Sequence, residues 1–265
     1  MKKERIIMIL IILIIGGFFI IKNTNSNSVL ESNNEIKEEI KEINKIDNVE
    51  QHQKEEATNI VKENKNELNK IEKKPVEKSY FDDALFIGDS RTVGISEYGD
   101  LNNATFFANT GMSVYNILDK DVSVPRVGKL KLEQLLSSKQ FGKVYIMLGI
   151  NELGYNMNQN LENYKKLVDY IKDRQSKAII YIQANLHVTD KKSSKDKIFN
   201  NTNINKFNTE ISKIADNKKV FYIDVNEKFD DENGNLNSDY TSDNIHIFAK
   251  YYKEWSNWLS QNAVK

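Results

Sequence analysis

Hydrophobic positions along this chain fall into three textures. Ile6 to Ile21 form one unbroken apolar run, IIMILIILIIGGFFII. From residue 23 to 78, isolated Ile and Val are spaced among Asn, Glu and Lys. Beyond residue 79, short apolar runs alternate with longer segments whose apolar residues recur every three or four positions. The short runs predict strands at Ala84–Ile87, Thr105–Ala108, Val144–Leu148, Ile179–Ile182 and Val220–Ile223. The longer segments predict helices at Arg91–Glu97, Val127–Leu136, Leu161–Arg174 and Ile198–Ala215, and a last aromatic-rich one from about Phe248 to Leu259. Strands alternating with helices argue for parallel βαβ units in a layered α/β sandwich. Right-handed crossovers then place helices on both faces of the sheet.

The first run has sixteen residues, which at about 1.5 Å each reach roughly 24 Å, a little short of a hydrocarbon core. Arg5 and Lys22 flank it and can snorkel outward. Lys2, Lys3 and Arg5 precede it, so the positive-inside tendency puts the N-terminus in the cytoplasm and the remainder outside. Residues 1–22 thus read as a stub and transmembrane anchor. The competing reading is a cleaved signal peptide, though KNTNSNSVLES after Ile21 holds no A-x-A-like site. Both readings export the rest of the chain to the extracellular side. Residues 23–78 read as a charged linker or stalk. In it Ile36, Ile40, Ile43, Ile46 and Val49 recur at spacings of four and three. That spacing fits a helix able to bind a partner, while the Glu/Lys alternation fits a solvated stalk. Residues 79–265 form one domain, without internal repeats.

Composition narrows the function classes. Lys+Arg and Asp+Glu both number 38, so no net field points to nucleic acid. The chain has no cysteine, which removes disulfides, thiol nucleophiles and cysteine-based metal sites. No His/Asp/Glu cluster has ligand spacing, so neither metal nor cofactor is expected.

Candidate chemistry sits just beyond the predicted strands, where functional groups collect in an open parallel sheet. Ser90, in Gly88-Asp89-Ser90, lies two residues after the first strand at a helix start. Its hydroxyl is exposed there beside unpaired N–H groups and the positive end of the helix dipole. Gly111 follows the second strand and can bring a backbone N–H close to a substrate. Asn151, in Gly149-Ile150-Asn151, follows the third and offers a side-chain amide. Ser90, Gly111 and Asn151 make a plausible oxyanion hole. Asp243 and His246, in Asp243-Asn244-Ile245-His246, follow the fifth strand at a spacing that lets the carboxylate hold one imidazole nitrogen. Ser90 is then the nucleophile, His246 the general base and acid, and Asp243 the orienting group. Each motif alone is an ordinary turn or helix cap; their conjunction in chain order is the signal.

The segments LFIGDSRTVG, FFANTG, YIMLGINELG and SDNIHI resemble the four blocks of the SGNH (GDSL-type) hydrolase superfamily. The resemblance covers most of residues 80–265. It implies a flavodoxin-like three-layer fold with a five-stranded parallel sheet, and a triad of Ser90, Asp243 and His246 with Gly111 and Asn151 as oxyanion donors. Glu152 departs from the pattern, which more often has Asp there, and the nucleophile block reads Gly-Asp-Ser-Arg.

Nearby residues leave alternatives open. Arg91 either binds a substrate carboxylate or phosphate at the site mouth or pairs with an acid at its helix start. Tyr155 and Met157 either line an acceptor or sugar subsite or pack locally. Asp89 braces the turn. His187 lacks an acid at a supportive spacing and reads as structural or substrate-adjacent; His52 has no role.

The expected activity is that of a membrane-anchored serine esterase that removes small acyl esters from extracellular or cell-wall glycans. The same triad would also serve an O-acyltransferase, and a non-catalytic surface adaptor is the rival from another class.

Overall fold

The computed structural model describes residues 73–264; the anchor expected at 6–21 and most of the linker lie outside them. In chain order the elements are β1 (Ala84–Gly88), α1 (Ser90–Tyr98), β2 (Thr105–Ala108), β3 (Val122–Val124), β4 (Gly128–Leu130), α2 (Leu132–Ser138) and β5 (Lys143–Met147). They continue as α3 (Met157–Arg174), β6 (Ile179–Gln183), α4 (Asp190–Ser193), α5 (Asn201–Ser212), β7 (Val220–Ile223), α6 (Asn226–Phe229) and α7 (Ala249–Gln261). Each apolar run read as a strand is one, shifted by at most a residue at either end. Among the described residues no helix is long and apolar enough to cross a membrane.

The sheet is parallel throughout, in the order β2-β1-β5-β6-β7. Its strands are apolar on both faces because helices cover both. On one side Leu85, Ile87, Val144, Ile146, Ile180 and Ile182 pack beneath α2, α3 and α5. On the other, register stacks one aromatic from every strand: Phe106, Phe86, Tyr145, Tyr181 and Phe221. Phe86 stacks on Tyr145 at 4.6 Å and Tyr145 on Tyr181 at 4.4 Å between ring centroids. Trp255 of α7 and Ile95 of α1 close this layer, both fully buried. Large side chains buried this way contribute about 1.5–3 kcal/mol each.

Two expectations need correction. The helix predicted from Val127 is instead the antiparallel hairpin β3–β4, with α2 starting only at Leu132. Val122 and Val124 point inward and Ser123 outward, a period of two. Pro125 then opens a turn in which Arg126 and Gly128 both take positive φ. The Arg126 guanidinium fastens the hairpin by donating to the carbonyls of Asn102 and Ala104. The second correction concerns the linker boundary at 78/79. Residues 73–78 belong to the folded unit, because Lys74 N donates to Ala263 O and Val76 N to Ser260 O, both at 2.9 Å.

The chain passes from β1 outward to β2, then back across to β5. The C-terminal end of β1 is therefore the switch point at which an open α/β sheet leaves a crevice.

Candidate active site

β1 delivers Ser90 to that crevice. Asp89 caps α1, its Oδ1 accepting from Arg91 N at 2.9 Å, which orients the turn and leaves Ser90 as the first helical residue. The Ser90 N–H is thus one of the amides without an intrahelical partner. Asp89 is fully buried, and burial pushes its carboxyl up against the opposing pull of Arg91.

β7 lies at the far edge of the sheet, three strands from β1, so the loop after it must travel back to reach Ser90. An isolated bridge between Thr241 and Ile247 pinches the loop. Asn244 takes φ 71°, a conformation Asn tolerates better than most residues. Its carbonyl accepts from Thr189 N at 3.1 Å and its side-chain oxygen from Thr189 Oγ1 at 3.0 Å. Thr189 follows β6, so the β6 loop is the platform that carries His246 toward Ser90.

At the end of this path Ser90 Oγ lies 2.8 Å from His246 Nε2. His246 Nδ1 lies 2.7 Å from Asp243 Oδ2. The other carboxylate oxygen of Asp243 accepts from the N–H groups of Ile245 and His246, each at 2.8 Å, and from Thr241 Oγ1 at 3.1 Å. Partial burial pushes the Asp243 carboxyl up, but the His246 N–H, the imidazole and the Ile245 N–H outweigh it and hold it at about 2. The carboxylate is therefore ionised at neutral pH and keeps Nδ1 protonated. Nε2 is left to take the hydroxyl proton of Ser90.

The turns after the strands on either side of β1 hold Gly111 and Asn151. Gly111, after β2, has φ 73°, and a Cβ built there would meet no atom within 4 Å, so the residue faces open space. Asn151, after β5, gives one amide hydrogen to Met112 O at 2.9 Å, which ties the two turns together. A second hydrogen remains on that nitrogen. Glu152 completes the brace. Fully buried, it accepts from Val114 N at 2.8 Å through Oε1, while its carbonyl accepts from Asn160 Nδ2 at 2.7 Å. The departure from Asp at this position thus reaches across to the Gly111 turn.

Ser90, His246 and Asp243 come together, and Gly111 and Asn151 flank them at adjacent strand ends. Arg91 does not stand at the site mouth. It is 1% exposed, because it shares the buried stripe of α1 with Ile95 one turn on, and its Nη2 donates to Leu186 O at 3.4 Å. Tyr155 is 64% exposed and meets the ring of Tyr115 edge-on at 5.3 Å. Tyr115 has no motif around it and was not a sequence candidate; its position four residues after Gly111 was the one available signal. His187 does have an acid partner, 43 residues away: Nδ1 lies 2.8 Å from Asp230 Oδ2 and Nε2 2.7 Å from Asn205 Oδ1. With both ring nitrogens engaged in the interior, it is a structural histidine.

The sequence profile of the GDSL-like lipase/acylhydrolase family matches residues 86–253. No curated protein matches the sequence. Among solved structures, a candidate platelet activating factor from Streptococcus pneumonia superposes with a TM-score of 0.52 at 20% identity, covering 81% of this chain and 95% of that one. A GDSL-like lipase from Bacteroides thetaiotaomicron gives 0.52 at 17% identity, covering 77% and 95%. A candidate acylhydrolase from Bacteroides fragilis gives 0.52 at 17%, covering 74% and 91%. These structural likenesses are of fold.

Proposed function

The chain belongs to the GDSL-like lipase/acylhydrolase family, and on that premise we propose that it is a serine esterase removing small, acetyl-like acyl groups from extracellular or cell-wall glycans. The observation that carries the reading is the unbroken relay from Ser90 Oγ through His246 to Asp243, at 2.8 Å and 2.7 Å. Ser90 Oγ attacks the ester carbonyl while its proton passes to His246 Nε2. The carbonyl oxygen becomes an oxyanion, received by the N–H groups of Ser90 and Gly111 and the free amide hydrogen of Asn151. Collapse breaks the ester C–O bond, and His246 returns its proton to the departing sugar hydroxyl. A water then gives its proton to His246 and attacks acyl-Ser90; the acid leaves and the proton returns to Ser90. Asp243 stays ionised throughout and offsets the imidazolium charge.

Hydrolysis needs water at the acyl-serine, and a His246 side chain 40% exposed to solvent is compatible with that step. The glycan substrate and the extracellular location rest on the apolar run at 6–21 with its basic flank, which reads as a membrane anchor with the catalytic domain outside.

The test is covalent labelling of the full-length protein with a fluorophosphonate, alongside release of acetate from an O-acetylated glycan. Label on Ser90, absent in Ser90→Ala and His246→Ala together with nearly all turnover, is the expected result. A folded wild-type protein that neither labels nor releases acetate would remove the esterase assignment.

A further inference from the structure

Tyr115 and Tyr155 hang from the two turns that hold the oxyanion donors. The Gly111 turn is tightly wound: Met112 N donates to Asn109 O at 3.0 Å, Ser113 N to Asn116 Oδ1 at 3.0 Å, and Asn116 Nδ2 back to Gly111 O at 3.3 Å. Tyr115 projects from it and remains 44% exposed. On the Asn151 turn, Tyr155 N donates to Glu152 O at 2.9 Å, which places Tyr155 one tight turn beyond Asn151. The rings meet at 5.3 Å and 66°, a favourable edge-to-face geometry that fixes their mutual orientation.

This pair is anchored, not merely exposed. The Tyr115 hydroxyl donates to Asn160 Oδ1 at 2.7 Å, and Asn160 is itself fully buried. Its other end donates to the Glu152 carbonyl, and the Glu152 carboxyl accepts from Val114, the residue before Tyr115. A closed ring of hydrogen bonds therefore holds Tyr115 to Glu152, the brace between the Gly111 and Asn151 turns, and Tyr155 joins it through its backbone bond to Glu152 O and its ring contact with Tyr115. Two large aromatic side chains stand substantially in water beside each other, Tyr115 at 44% and Tyr155 at 64% exposure, leaving apolar ring surface uncovered. That surface can take an occupant.

The surrounding chemistry selects the occupant. In a chain with 29% charged residues, no Asp, Glu, Lys or Arg occurs from residue 101 to 118. From 144 to 161 the single one is Glu152, which is buried. The polar side chains that these two turns offer to solvent are Thr110, Asn116, Asn151, Asn156, Asn158 and Gln159, all neutral hydroxyls and amides, and Leu118 and Ile198 are exposed apolar side chains in the same neighbourhood, Ile198 lying against Gly154. Neither turn carries a cation to hold a phosphate or carboxylate ligand, and among the solvent-facing side chains of both turns amides outnumber the apolar ones that a long acyl chain would need. A sugar ring presents a C–H face to an aromatic ring and hydroxyls to amides, and it needs no counter-charge.

From these observations we infer that Tyr115 and Tyr155 form a stacking platform for an uncharged sugar ring of the substrate, with the neighbouring amides reading its hydroxyls. The inference deepens the esterase reading and rests on it for the choice of substrate. Tyr155 is the contact residue; Tyr115 supports its ring and is fixed through Asn160.

The experiment compares full-length wild type, Tyr155→Ala, Tyr155→Trp and Tyr115→Ala on three esters: methyl acetate, ethyl octanoate and an O-acetylated tetramer of β-1,4-linked N-acetylglucosamine. Tyr155→Ala should lower the ratio of kcat/KM for the tetramer to that for methyl acetate about tenfold. Tyr155→Trp should restore the ratio, which a merely structural role would not do. An unchanged ratio overturns the platform, and a loss confined to ethyl octanoate assigns the rings to an acyl chain and overturns it equally. A second arm is independent of turnover. Full-length Ser90→Ala is titrated with the unacetylated tetramer by saturation-transfer NMR, with and without Tyr155→Ala. Tyr155-dependent contact, together with a folded wild type that hydrolyses none of the three esters, would sink the esterase reading and keep the platform. Turnover of the tetramer with no Tyr155-dependent contact would do the reverse.

Discussion

Glu152→Gln tests the brace between the Gly111 and Asn151 turns through its protons. Glu152 is fully buried, one residue from Asn151, and its Oε2 has no hydrogen-bond partner among the described residues. Burial raises its carboxyl to about 7, opposed by the Val114 N–H and reinforced by the buried Asp89. The folded protein therefore holds a proton that the unfolded chain releases near pH 4.5. That proton's contribution is fully present below the unfolded value and is lost as pH rises through the folded one. From 4.5 to about 7, at roughly 1.4 kcal/mol per unit, the total is about 3 kcal/mol. Gln keeps the acceptor for Val114 and has no charge to bury, so it mimics the protonated carboxyl. The assay is urea unfolding of full-length wild type and Glu152→Gln across the range from about pH 5 to about pH 8. Taking the difference between the two proteins cancels every other titrating group. Glu152→Gln should gain on wild type by about 2–3 kcal/mol over that range. A gap that stays constant with pH would show that the folded protein ionises Glu152 without cost, and the burial argument would fail.

Other perturbations address separate parts of the molecule. Asn151→Ala should lower kcat on the order of 10²–10³ if its second amide hydrogen meets the oxyanion, and unchanged turnover would remove it from the hole. Because Asn151 also ties to Met112, thermal unfolding of the variant separates lost chemistry from a loosened turn. For His187, burial lowers the pKa but the Asp230 carboxylate more than compensates, so the folded value is raised. Its contribution is complete below the unfolded value of 6.5 and fades as pH rises through the folded value. His187→Gln should accordingly cost more stability at low pH than at high, in urea melts; equal cost throughout would refute the ion pair. Gly149 has φ 129°, and a Cβ there would lie 2.1 Å from Phe207 Cε1 and 2.8 Å from Asn185 Nδ2. Gly149→Ala should destabilise by roughly 2–5 kcal/mol through strain and overpacking, and a melt within about 1 kcal/mol of wild type would contradict the close approach.

The strands and the ends at which chemistry collects were legible because a parallel sheet buried on both faces demands continuous apolar runs, and five such runs stand out against a polar background. Helix-start grammar at Asp89-Ser90 was equally local, since a cap bonds two residues ahead. The Asp243–His246 pair was readable for the same reason, its partners being three residues apart. The hairpin at 122–130 was missed because Val127 to Leu136 mixes a turn with a true helix, and Pro125 and Gly128 outrank the apolar count there. Arg91 was open to a solvent role because charge normally seeks water; its place on the inner stripe of α1 depends on what packs against that helix.

By itself the amino-acid order determined the layered α/β class and the strand ends, and it marked Ser90, Asp243 and His246 as candidate site residues, because apolar runs, helix caps and a pair three residues apart are local features. Only the tertiary structure decided that His246 crosses three strands to reach Ser90, that Glu152 clasps the Gly111 turn, that His187 finds Asp230, and that Tyr115 and Tyr155 share one ledge. Those pairings join residues tens to more than a hundred positions apart. Burial and hydrogen-bond geometry in the folded chain select them, and no local periodicity records which distant partner will be there.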